Sequence, residues 1–263
     1  MSEDRDRRLR LVDTHSHFDV DGFDGDRGEV LARAQALGVV AQIVPAIDAA
    51  GWPRLASVCG AHAGLHAAYG LHPIYLPEHR PEHLLALRAW LERDDCVAVG
   101  EIGLDYFMDD LDRDLQQRYF EAQLHLAREI GLPVVVHARR AVDAVIATLR
   151  RFPGLRGVVH SFAGSAEQAA QLWTLGFMLG IGGPVTYPRA QRLRRVVAAL
   201  PLEQLLLETD APDQPDSQWR GLRNEPARLP HVLDAIAALR PESRAQIAAA
   251  TTANAERLFR IRV

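Results

Sequence analysis

A single (β/α)8 barrel of the α/β class, with extra C-terminal helices, is the fold this sequence predicts, and three observations predict it. Eight short β-rich apolar runs alternate along the chain with stretches of helical period. The length, 263 residues, matches one such barrel, for which roughly 250 is typical. Polar residues able to do chemistry finish nearly every run, as the C-terminal rim of a barrel requires. A doubly wound open sheet shares the alternation but offers no reason for that last regularity. Residues 1–263 therefore read as one domain.

The first run, within RLRLVDTH, leads into DTHSHFD at 13 to 19. Side chains alternate across a strand, so Asp13, His15 and His17 face one way if the stretch is extended. The amphipathic EVLARAQALG precedes the second run, VVAQIVPAI (39 to 47), and LHAAYGLHP (65 to 73) brings His72. The helical PEHLLALRAWLE leads to CVAVGEIGLD (96 to 105), which carries Glu101. LQQRYFEAQLHLAREIG then stops at Gly131, as a helix does. PVVVH (133 to 137) ends in His137, and GVVHS (157 to 161) carries His160. FMLGIGG (177 to 183) follows, and LLLETD (205 to 210) finishes with Asp210. From Arg228 to Val263 the pattern predicts two further helices against the bottom or flank of the barrel.

Composition narrows the function classes. A net charge of -4 gives no global attraction to nucleic acid or an anionic membrane, so any polyanion must be held by local charge. Cys59 and Cys96 lack metal-type spacing and read as buried apolar residues of a protein from a reducing compartment. MSEDRDRRLR has no apolar signal core, and no run reaches the length of a membrane span. The expected location is cytoplasmic, with no membrane contact and no obligate protein partner evident. All 30 basic residues are arginine. Without lysine, neither a Schiff base nor a carboxylated-lysine metal bridge is possible, which disfavours the lactonase, phosphotriesterase and dihydroorotase-like chemistries that use one.

His15, His17, His72, Glu101, His137, His160 and Asp210 all follow or end strands and so converge on one rim. Singly, each has an ordinary reading: a histidine caps a loop, Glu101 accepts an internal hydrogen bond, and Asp210 before Ala-Pro makes a turn. Jointly, their burial costs several kcal/mol per uncompensated charge. A cation removes that cost. Six donors, His15, His17, Glu101, His137, His160 and Asp210, are too many for one tetrahedral ion with an open position. Two ions sharing Glu101 fit the count, one on His15, His17 and Asp210, the other on His137 and His160. The four imidazoles favour zinc or manganese, while the carboxylates leave magnesium open. Asp210 and Glu101 are the catalytic candidates, with Asp210 positioned to accept a proton from water.

With both ion sites filled, His72 reads as a hydrogen-bond donor to substrate. Arg139 has two readings, a bidentate contact to an anionic substrate group or a surface arginine at a helix start. Asp13 is expected to fix the tautomer of a ligand histidine, Glu208 to face inward, and Asn224 and Glu225 to pin the loop after the eighth strand. Arg150, Arg151, Arg192, Arg194 and Arg195 are expected on solvated helix faces away from the rim. Tyr75, Phe107, Phe162, Tyr187 and Trp219 are expected in rim loops where a base stacks.

The segments DTHSHFD, GLHP, AVGEIGLDYF, PVVVHARRA, GVVHSFAGS, LLLETDAP and RNEP span almost the whole chain in order. Together they resemble the TatD family of metal-dependent hydrolases, in the amidohydrolase-like TIM-barrel superfamily. The tail, LETDAPD followed by WRGLRNEPARLPHVLDAI, is most similar to the YjjV-like branch. Ser16 and Ser161 stand where many relatives have cysteine, and Arg140 where they often carry aspartate. The resemblance implies a divalent-metal-dependent deoxyribonuclease, commonly a 3'-to-5' exonuclease on single-stranded DNA, using a water activated by two metals. Two other functions fit the residues: a binuclear hydrolase of a small ester, lactone or amide, and a metal-stabilised non-catalytic binding module.

Overall fold

Each of the eight apolar runs forms a strand in the computed structural model, which describes residues 9–263. The strands are β1 (Leu11–Asp13), β2 (Val39–Pro45), β3 (Leu65–Tyr69), β4 (Cys96–Asp105), β5 (Val134–Arg139), β6 (Gly157–Val159), β7 (Phe177–Ile181) and β8 (Leu205–Leu207). They lie side by side in sequence order, and every neighbouring pair is parallel. β8 then meets β1, where the Thr14 backbone N–H and hydroxyl both donate to the Leu207 carbonyl, at 2.9 and 3.0 Å. The result is a nearly closed (β/α)8 barrel.

Seven helices wrap the barrel: α1 (Arg27–Ala36), α2 (Trp52–Ala61), α3 (Pro81–Leu91), α4 (Arg113–Ile130), α5 (Val142–Leu149), α6 (Ala166–Thr174) and α7 (Gln191–Ala199). α4 shows why these segments are helical. Asp112 caps it by accepting from the Leu115 N–H, and Tyr119, Phe120, Gln123, Leu124 and Ala127 recur on the buried face. Gly131 ends it at φ 81°, a left-handed conformation that glycine adopts without strain.

Two helices follow the barrel, α8 (Leu229–Ala237) and α9 (Arg244–Phe259). Inward-facing Val12, Ile43, Ala68, Ala98, Val135, Val158 and Leu206 form an interior cluster completed by Ala255, Leu258 and Phe259 of α9 and Ile261 beyond it. Asn254 donates to the carbonyls of Leu202 and Leu205, and Thr252 to that of Arg10, all where strands begin. α9 therefore closes the bottom, leaving the opposite rim, where strands end and the outer helices start, for chemistry. Among the described residues, no helix is long and apolar enough to cross a membrane.

Candidate metal centre

Glu101, near the middle of β4 and 1% exposed, is the hub of the rim. Its Oε2 lies 3.1 Å from His15 Nε2 and 3.4 Å from His17 Nε2. Its Oε1 lies 2.8 Å from His160 Nε2, 2.9 Å from His137 Nδ1 and 3.0 Å from His72 Nε2. Asp210 Oδ1 joins the first group, at 3.4 Å from His15 and 3.7 Å from His17. The two oxygens of one carboxylate thus face two groups, His15 and His17 beside Asp210 on one side, and His72, His137 and His160 on the other.

For His17, His137 and His72, a hydrogen bond on the far side of the ring decides which nitrogen it presents. His17 Nδ1 lies 3.2 Å from the Pro45 carbonyl, which accepts only if Nδ1 carries the proton, so Nε2 is left bare. His137 Nε2 lies 2.8 Å from Asp105 Oδ2, so its proton sits there and Nδ1 faces Glu101. His72 is opposite in sense. Its Nδ1 accepts from the Ile74 N–H at 3.1 Å, so a neutral His72 carries its proton on Nε2 and donates to Glu101. A ring in that state is a hydrogen-bond donor and not a ligand.

Elsewhere ring nitrogens approach each other closely. His15 Nε2 and His17 Nε2 are 3.3 Å apart, and His137 Nδ1 and His160 Nε2 are 3.2 Å apart. Two nitrogens bound at about 2.05 Å to one tetrahedral ion stand about 3.3 Å from each other. Glu101 Oε2 makes no hydrogen bond despite its burial, an expensive state for a carboxylate oxygen unless a cation faces it. His15, His17 and Asp210 form one candidate ion-holding group, and His15, Glu101 and His160 another. The donor set fits divalent metal.

Electrostatics within the rim are tense without a cation. Burial pushes Glu208 up to about 8 and Asp13 up to about 7, and holds His72 down at about 4. Burial also opposes charge on His160, yet the neighbouring Glu101 carboxylate lifts it to about 10. For Glu101, burial is outweighed by the rings of His72, His160 and His15, which hold it well below the usual carboxylate range. Burial raises Asp210.

These groups floor a cavity of about 1140 Å³, walled in part by Arg139, Arg140, Gln168, Arg192 and Gln214. The structure brings all seven predicted rim residues together, with Arg139 on the cavity wall and His72 buried beneath it. It corrects three expectations. Asp13 touches no imidazole: its carboxylate accepts from the backbone N–H groups of His15 and Thr209 and from the Thr209 hydroxyl, fixing the chain between β1 and β8. Arg192 lies at the rim, because α7 begins at Gln191 and the first turns of barrel helices adjoin the strand ends. Phe162 is 2% exposed, core rather than stacking surface.

Glu208 accepts from the Ser161 N–H beside His160, and its Oε2 would lie 1.9 Å from a Cβ on Gly180, so only glycine fits there. Asn224 donates to the Thr209 and Asp213 carbonyls, and Glu225 pairs with Arg33, which pins the loop after β8. Sequence reasoning missed Asp105. Its signal was present: Glu101, Gly103 and Asp105 alternate along β4, so all three share a face.

Comparison with known proteins agrees with this geometry. The model of the family described as TatD related DNase matches residues 12–260. The chain is 44% identical over 255 residues to YjjV, an uncharacterized metal-dependent hydrolase of Escherichia coli (strain K12), covering 96% of this chain and 98% of that one. It is 34% identical over 251 residues to the 3'-5' ssDNA/RNA exonuclease TatD of Erwinia tasmaniensis, covering 91% and 95%. The crystal structure of YjjV from Escherichia coli K12 superimposes with a TM-score of 0.93 at 43% identity, covering 97% of this chain and 99% of that one.

Proposed function

We propose that this chain, which belongs to the TatD family of metal-dependent hydrolases, is a deoxyribonuclease that shortens single-stranded DNA from the 3' end. Residues 1–263 would form one hydrolase domain, working in the cytoplasm with two divalent ions, zinc, manganese or magnesium. The observation that carries the reading is Glu101, whose two oxygens face two separate imidazole groups on the floor of an arginine-walled cavity. The name of the Erwinia relative supplies the substrate class.

His15, His17, Glu101 and Asp210 would hold one ion, and Glu101, His137 and His160 the other. Divalent ions bound there would acidify a water far below its bulk value and would neutralise charge on phosphoryl oxygens. Asp210 is clamped by the Gln214 side-chain amide on Oδ2, so Oδ1 is fixed to orient the attacking water and take its proton. The Arg139 guanidinium would donate from the wall to non-bridging phosphate oxygens, while His72, its Nε2–H already given to Glu101, would orient that carboxylate and not bind phosphate.

The test is product release from 3'-labelled single-stranded oligonucleotides, with metal added, beside a panel of ester, lactone and amide substrates. Mononucleotide release is expected, falling about a thousandfold in Glu101→Ala and about 10² to 10⁴-fold in Asp210→Asn. No product from any DNA at high enzyme, with turnover of an acyl substrate, overturns the nuclease reading. Full activity in both variants overturns the assigned site.

A further inference from the structure

The cavity wall above the floor carries more positive charge than the contact from Arg139 to the scissile phosphate would use. Arg139 and Arg140, at and just after the end of β5, place their guanidinium carbons 3.7 and 4.7 Å from the centre of the Phe107 ring. Two like charges are gathered against one aromatic ring, and among the described residues neither makes a hydrogen bond or ion pair through its side chain. Arg192, in the first turn of α7, lines the same cavity and spends one N–H on the Ala163 carbonyl, leaving the rest of its fork. Besides Glu101 and Asp210 on the floor, two acids, Asp143 and Asp213, share the lining, and Asp143 is occupied by the Gln168 amide at 2.7 Å.

The backbone adds an independent sign. Among the described residues, five that are not glycine have positive φ, and four of them, Arg140, Ser161, Asp210 and Gln214, line this cavity. Such conformations persist where surrounding structure imposes them, and they gather at ligand sites. At Arg140, φ 53° turns an arginine back over Phe107 in a position that asparagine or glycine would occupy more easily.

We infer that Arg140 and Arg192, with Arg139, form a second anion subsite that holds the phosphate next to the scissile one. The inference rests on the phosphodiesterase reading of the floor and deepens it. The substrate is then a nucleic-acid end carrying at least two phosphodiesters, and a simple diester fills only half of the site. Guanidinium suits both parts, binding phosphate oxygens in a bidentate fork and stacking on rings.

Binding and hydrolysis together test this on the metal-loaded protein. Anisotropy of a short fluorescent phosphorothioate oligodeoxynucleotide, which resists cleavage, gives Kd across a salt series for the natural protein, Arg140→Asn and Arg192→Gln. Asparagine tolerates the left-handed backbone and both sites are exposed, so the fold is retained. Each variant is expected to bind about tenfold more weakly, with the slope of log K against log salt shallower by about 0.7. KM for a trideoxynucleotide should rise about tenfold more than KM for bis(p-nitrophenyl) phosphate, which has one phosphate. Unchanged Kd and slope in both variants, or equal rises in the two KM values, overturn the subsite. Arginine-dependent binding by a protein that cleaves neither substrate supports the subsite and overturns the phosphodiesterase reading alone.

Discussion

Glu101 faces two imidazole groups, and in each of them one ring is turned by a partner behind it: Pro45 turns His17, and Asp105 turns His137. Asp105 Oδ1 accepts from the Phe107 and Met108 N–H groups, so its other oxygen is left to the ring. In Asp105→Asn the carbonyl oxygen keeps those two bonds and the amide NH₂ faces His137 Nε2. That nitrogen must then be bare, the proton moves to Nδ1, and the atom facing Glu101 is lost as a ligand. Metal affinity should fall about 10 to 100-fold, read by titration calorimetry against an unchanged thermal midpoint in chelator. The donors themselves were legible, since each ends or follows an apolar run. Tautomers were not, because they depend on partners such as Pro45 and Ile74 that no spacing reveals.

The loop from β8 to α8 shows what an element-scale reading finds and misses. Asp216, 1% exposed, accepts from Arg228 Nε at 2.7 Å and Nη2 at 3.1 Å and from the Gln218 N–H at 2.9 Å. Burial opposes its charge, but Arg228 and that N–H outweigh it and hold the carboxyl below its usual range. A lowered folded-state pKa means stability present above the unfolded value of about 3.9 and lost as pH falls through the folded one. Asp216→Asn should therefore cost about 1 to 3 kcal/mol at neutral pH, with the gap to the natural protein closing below about pH 4. Urea unfolding at several pH values checks it. The sequence showed this stretch as a loop after strand eight but not its anchor, because Asp216 and Arg228 carry no periodic signal. The same blindness put Arg192 away from the rim: its charge pattern reads as a solvated face, while its place in the first turn of α7 depends on where β7 ends.

At the scale of the molecule, eight strands and two closing helices were legible because hydrophobic period and barrel length agree, and closure follows from right-handed β-α crossovers. The candidate ligands come from or just after β1, β4, β5, β6 and β8, so an ion held by them would tie the barrel across its mouth. Free metal at about a thousand times Kd should stabilise by about 4 kcal/mol, or about 10 °C in Tm at roughly 2 to 4 °C per kcal/mol for a chain of this size. Scanning calorimetry with chelator and then with added zinc or manganese measures it, and identical midpoints would count against both ion sites. The junction of β8 with β1 bears most on this. There the Asp210 N–H donates to the His15 carbonyl at 2.8 Å, and Asp13 grips Thr209. The chain's first and last staves thus meet at the spot where the Asp210 carboxylate faces its imidazoles. Any fluctuation that parts those staves also disarms the enzyme, so catalytic readiness and an unbroken hoop are one and the same condition.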